Sequence, residues 1–168
     1  MSQDSNQFPN QLARQLADRL SRIKPTVSLV TLNVTDLARA TAFYRDVMGF
    51  PVWGKAHPEV AFFQLNGLVL SLYLRPLLAE DAGFPKDEPV SRFSGVTLAQ
   101  NVEHKDDVDA ILAAVELGGA TILRPGFDTD WGGRVGYFAD PEGNAWEIAW
   151  NPGFPMDERG VLQLPPNG

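Results

Sequence analysis

In the stretch "YFADPEGNAWEIAW", residues 137–150, one carboxylate, Glu147, interrupts a run that otherwise reads as a buried strand. A charge in such a place is costly unless a metal ion, a basic side chain or the water of an open cavity compensates it. The chain has two histidines and no cysteine, which excludes disulfides, thiolate metal sites, a cysteine nucleophile and histidine-rich metal centres. His57 reads as a solvated loop residue and His104 stands at the start of a helix, so neither belongs to a serine triad. No glycine-rich phosphate loop follows a strand. For Glu147 the preferred partner is Arg75, at the same depth on an equivalent strand, with Arg134 second. The other reading is a catalytic one, in which Glu147 is a general base whose pKa is raised by burial.

The elements that must position these groups follow from periodicity. Residues 1–25 form an N-terminal extension in which Leu12, Leu16, Leu20 and Ile23 share one helical face, stopped by Pro25. That helix either covers its own domain or meets a second subunit. Next comes "TVSLVTLNVTD", a strand ending at the helix-start signal Thr35-Asp36, and then the helix "LARATAFYRDVM", closed by Gly49. Three strand-like pieces follow, "FPVWGK", "VAFFQL" and "LVLSLYLR", the last two joined at the hairpin signal Asn66-Gly67. Residues 26–75 thus read β-α-β-β-β, and the Pro-rich, acidic stretch 76–92 reads as a linker. Over 93–152 the order repeats: strand "FSGVTLAQNV", helix "KDDVDAILAAVELGG", strands "ATILRP", "RVGYFAD" and "AWEIAW". Val30-Thr31-Leu32 recurs as Val96-Thr97-Leu98, and Gly67 before "LVLSLY" as Gly143 before "NAWEIA". The tail, 153–168, is expected to lay Val161, Leu162 and Leu164 on the body.

Strand alternation sorts the side chains into two faces. Val30, Leu32, Val34, Leu70, Leu72 and Leu74 go to the helix side of the first module. Val96, Leu98, Trp146, Ile148 and Trp150 do so in the second. The opposite, inner face receives Leu29, Thr31, Asn33, Ser71, Tyr73 and Arg75 from the first module, and Gly95, Thr97, Ala99, Glu147 and Ala149 from the second. Such a small, polar set leaves space rather than filling it, as a small-molecule site does. Trp53, Phe62, Tyr73 and Trp131 are candidates for its aromatic walls, and equally for the core. The competing reading is that the extra helix or the tail plugs the space. In "DPEG", Asp140, Pro141 and Gly143 suit a type I turn, so Asp140 reads as a turn residue.

The stretches "VTLNVTDLARATAFYRDVMGF" and "DWGGRVGYFADPEGNAWEIAW", with the duplicated order, resemble the vicinal oxygen chelate superfamily over residues 26–152. That superfamily includes glyoxalase I, extradiol dioxygenases, and fosfomycin- and bleomycin-resistance proteins. The resemblance implies an α+β fold: two paired βαβββ modules in a U-shaped mixed sheet with helices outside, here with an extra N-terminal helix. It also implies metal-ligand positions at Leu29, Ser71, Gly95 and Glu147, of which only Glu147 is a ligand type. No metal and no other cofactor is therefore expected. The first reading is a protein that binds a small molecule in its cleft in the manner of bleomycin-resistance proteins, with a homodimer expected. Its ligand-binding residues are Thr31, Asn33, Ser71, Tyr73, Arg75, Thr97, Trp131, Arg134 and Glu147. The alternatives are an enzyme of lyase, isomerase or dioxygenase type with a diverged metal site or with Glu147 as base, and a structural or regulatory module with a filled cavity.

The whole composition fits a globule, with 44% hydrophobic and 21% charged residues. A net charge of −7 argues against a nucleic-acid surface. No apolar run is long enough for a membrane span and no signal segment opens the chain, so a cytoplasmic location is expected.

Overall fold

The computed structural model describes Arg14, residues 26–91 and residues 93–164. The expected N-terminal helix lies outside the described residues. The fold is α+β, built from two βαβββ modules.

The first module begins with β1 (Leu29–Val34) and turns into α1 (Leu37–Ala42) at Asp36, whose carboxylate accepts the Arg39 N–H at 2.9 Å. The helix widens into a π-helical turn over Phe43–Val47, with Met48 N–H bonded to the Phe43 carbonyl. That widening lets two consecutive rings, Phe43 and Tyr44, both enter the core. Then come β2 (Val52–Trp53), β3 (Val60–Gln64) and β4 (Val69–Leu74), in the sheet order β1-β4-β3-β2, with β1 parallel to β4. The stretch expected as a plain linker starts instead with a helix, α2 (Arg75–Asp81). Pro76 falls in its first turn, where a missing N–H costs nothing. Arg75 is accordingly a helix residue, not the end of a strand.

The second module repeats the plan with β5 (Leu98–Asn101), α3 (Asp107–Leu117), β6 (Thr121–Asp128), β7 (Arg134–Ala139) and β8 (Ala145–Trp150), in the order β5-β8-β7-β6. β6 is an edge strand with two register shifts, which is how it accommodates Pro125. β5 starts later than expected. Gly95 stands ahead of it at φ 80°, Thr97 is exposed, and Val96 is 60% exposed rather than on the helix side.

Elsewhere the helix-side residues meet in one core. Val34, Phe63, Leu70 and Leu72 pack under α1, and Val108, Leu112 and Val115 of α3 pack on Phe138, Trp146 and Ile148. Tyr44 joins the halves, its ring centroid 5.9 Å from that of Trp146. Gly118, after α3, is required there because a Cβ would strike the Val47 side chain of the first module. The left-handed position that ends this helix is its neighbour, Gly119, at φ 100°. No strand pairing joins the two sheets among the described residues: each module keeps its own four strands.

Candidate functional site

The "DPEG" turn carries more than a turn. The Gly143 N–H bonds the Asp140 carbonyl at 3.0 Å, as a β-turn requires. The Asp140 carboxylate, in a residue only 3% exposed, also accepts the Glu142 and Asn144 N–H groups and the Tyr44 hydroxyl, the last at 2.6 Å. Trp146 Nε1 in turn donates to the Tyr44 oxygen at 3.0 Å. Burial, then the adjacent Asp140, push the Tyr44 phenol far above its ordinary pKa, so it stays a donor. Glu142, whose side chain is 1% exposed, reaches the start of α1 in the other module. It accepts from the Thr35 N–H and hydroxyl and from Arg39 Nη2, each at 2.6 Å. Burial opposes its charge, but those donors outweigh it and hold the carboxyl below its ordinary value. The turn therefore locks the modules together. Sequence reading missed this role because the partners lie about a hundred positions away.

Among the described residues, the inner faces line two pockets that share no residue. On the first sheet, a pocket of about 430 Å³ brings together Leu29, Thr31, Ser71 and Tyr73 of the expected inner set. Ser71 Oγ donates to Thr31 Oγ1 at 2.8 Å across the β1–β4 register. Tyr73 donates its hydroxyl to Asp81 of α2 at 3.1 Å, which raises the phenol's pKa. His57 is exposed in its loop and also lines this pocket. Its Nδ1 accepts the Glu59 N–H, leaving Nε2 to carry the proton of the neutral ring.

On the second sheet, a pocket of about 880 Å³ holds Glu147 and Trp131, together with Asn101, Asn151, Phe154 and Leu162. Phe154 and Leu162 come from the tail, which folds back through a Met156–Leu162 bridge. The tail thus walls this pocket, and Val161 and Leu162 are half-buried on the body as expected, while Leu164 is exposed. A row runs across the sheet: Ala99 beside Glu147, Glu147 beside Tyr137, Tyr137 beside Arg124. Burial, and then Glu147, raise the Tyr137 pKa.

Neither expected partner reaches Glu147. Arg75 donates to Asn33 Oδ1 at 2.9 Å, so those two candidates satisfy each other. Arg134 lies on the helix side, bonded to Asp109 at 2.7 Å and to Asp128 at 2.9 Å. It pairs in register with Trp150, a helix-side residue, and one step of alternation separates it from the inner face. Among the described residues Glu147 has no ion pair.

The model of the Glyoxalase/Bleomycin resistance protein/Dioxygenase superfamily matches residues 26–148. The chain belongs to this superfamily. A glyoxalase-related enzyme from Fulvimarina pelagi is 33% identical, with a TM-score of 0.76, over 84% of this chain and 99% of that one. Two more distant structures share the fold. One is a glyoxalase/bleomycin resistance protein/dioxygenase family enzyme from Burkholderia phytofirmans PsJN, at 21% identity and TM-score 0.68, over 74% of this chain and 98% of that one. The other is a lactoylglutathione lyase from Agrobacterium tumefaciens, at 23% and 0.59, over 77% and 96%.

The superfamily's metal positions can be tested against the side chains that occupy them here. Leu29 and Ser71 face one pocket, Glu147 faces the other, and Gly95 offers no side chain. This donor set does not fit zinc or iron, which take three or more nitrogen, sulfur or oxygen ligands from the protein. Among the described residues, no three acidic or histidine side chains form a metal-holding group.

Proposed function

We propose that this superfamily member binds a small organic molecule on the inner faces of its sheets, without a resident metal, as a cytoplasmic homodimer. The observation that carries the reading is the inner surface itself: two open pockets lined by aromatic, hydroxyl and amide groups, with one metal-ligand type at the four superfamily positions. The dimer is supported by the edges of these faces. β1 and β5 are edge strands, and Val27, Leu29, Phe93 and Val96 stand 43–65% exposed on or just ahead of them. A second copy would cover both the apolar side chains and the unpaired strand edges. None of the helices described is long and apolar enough to cross a membrane.

Elemental analysis of protein purified without chelator tests the metal-free part. Less than a tenth of an equivalent, roughly, of any divalent metal is expected; near one equivalent of zinc, iron, nickel or manganese would overturn it. Light scattering at micromolar concentration should return twice the mass of one chain, and a monomer would remove the dimer.

One observation favours a second reading, an enzyme. Glu147 has no basic partner among the described residues and stands beside the Tyr137 hydroxyl, so it is placed to take a proton from a bound substrate. Turnover of a substrate that Glu147→Gln still binds but no longer converts would establish it.

A further inference from the structure

We propose that the pocket on the second sheet selects ligands carrying a protonated amine next to a flat aromatic group. The proposal rests on the reading of the chain as a small-molecule binder and names the chemistry of the ligand.

Four of the acids around this sheet have partners. Asp109 and Asp128 hold Arg134, Asp128 also holds Lys105, Asp140 takes the Tyr44 hydroxyl, and Glu142 takes Arg39. Glu147 is half-buried on the pocket floor, and among the described residues no Lys, Arg or His lines that pocket. The base on its cross-sheet row, Arg124, is two strands away, about 9–10 Å at ordinary strand spacing. Its guanidinium is stacked on Phe127, 3.3 Å from the ring centroid. A carboxylate withdrawn from water without a cation is held at a cost, and a ligand ammonium would remove that cost with a charge-assisted hydrogen bond.

Two rings stand beside it. Trp131 is 53% exposed and Phe154 38% exposed, yet both line the pocket. Trp131 is held in place from below. Its indole lies over Gly133, where any Cβ would overlap the ring, in a turn closed by Thr129 N–H to the Gly133 carbonyl at 3.0 Å. Part of the indole is thereby packed on Gly133 and the rest stays open to a ligand, to which it offers stacking and a cation–π contact. Asn101 and Asn151 add neutral amide groups and no competing charge. The net charge of −7 favours the approach of cations.

Three probes of one shape separate the possibilities: phenethylamine, 2-phenylethanol and 3-phenylpropionate, each titrated into full-length ¹⁵N-labelled protein and followed by NMR. Phenethylamine should shift the Trp131 indole and Glu147 amide signals and bind at least about tenfold more tightly than the alcohol, with the propionate weakest. Glu147→Gln should bring the amine down to the alcohol's affinity, and Trp131→Ala should weaken both. Equal affinity of amine and alcohol at these residues, a preference for the anion, or amine binding that survives Glu147→Gln would overturn the selectivity while leaving a ligand pocket in place. Should no probe shift any inner-face residue of either sheet, the selectivity and the small-molecule reading would fall together.

Discussion

Glu142 and Glu147 lie five positions apart on either side of the start of β8, and their surroundings are opposite. Glu142 is inserted between the modules and meets four hydrogen bonds or ionic contacts from Thr35, Asp36 and Arg39. Glu147 faces an open pocket, has no basic partner among the described residues, and has a tyrosine and an alanine as strand neighbours. The same side chain is a structural clamp in one place and an unspent charge in the other. What separates them is which face of the fold each reaches, and a free charge on an inner face is available to a ligand in a way that a clamped one is not.

The clamp should break most severely at Asp140. Asp140→Ala would leave the Tyr44 hydroxyl and the Glu142 and Asn144 amides without their acceptor in a buried place. A loss of about 3–5 kcal/mol in urea unfolding is expected; a loss under about 1 kcal/mol would mean that the network is incidental. Glu142→Gln is the next in size, about 1–2 kcal/mol at neutral pH. Its effect must depend on pH. The folded carboxyl ionises below its unfolded counterpart, near 4.3, so the stabilisation is complete above that value and is lost as the pH falls through the folded one. The difference between wild type and Glu142→Gln should therefore close in acid, and a difference unchanged from pH 7 to pH 3 would show that charge is not what holds the turn. Glu147→Gln should be the mildest of the three, within about 0.5 kcal/mol of wild type at pH 7. A larger destabilisation would reveal a partner for Glu147 and would merge the two glutamates into one role.

Sequence reading recovered the parts of this contrast that are local. The alternation in "LVLSLYLR" placed Leu70 and Leu72 in the core and Ser71 and Tyr73 on the inner pocket, as the structure does. Trp131 and Glu147 were expected at one site and line one pocket. The partners of the charged groups were another matter. Arg75 was expected as a strand residue and starts a helix, and Arg134 was expected inside and lies outside. Both errors come from element ends, where a shift of one residue exchanges the faces. Val96 failed likewise, because β5 begins only at Leu98.

Strand period, turn glycines and helix caps are decided within a few residues, so the chain alone determined two βαβββ modules, their helix-side faces and the turn at Asp140–Gly143. It also determined which atoms the superfamily's metal positions can offer, since a leucine or a glycine supplies no ligand in any fold. Only the tertiary structure decided, among the described residues, that Thr31 and Glu147 line different pockets, that Glu142 caps a helix in the other module, and that Glu147 stands without a base. These depend on how the modules dock. That docking is set by contacts such as Tyr44 on Trp146 and Val47 on Gly118, between residues far apart in the chain, whose meeting no local periodicity encodes.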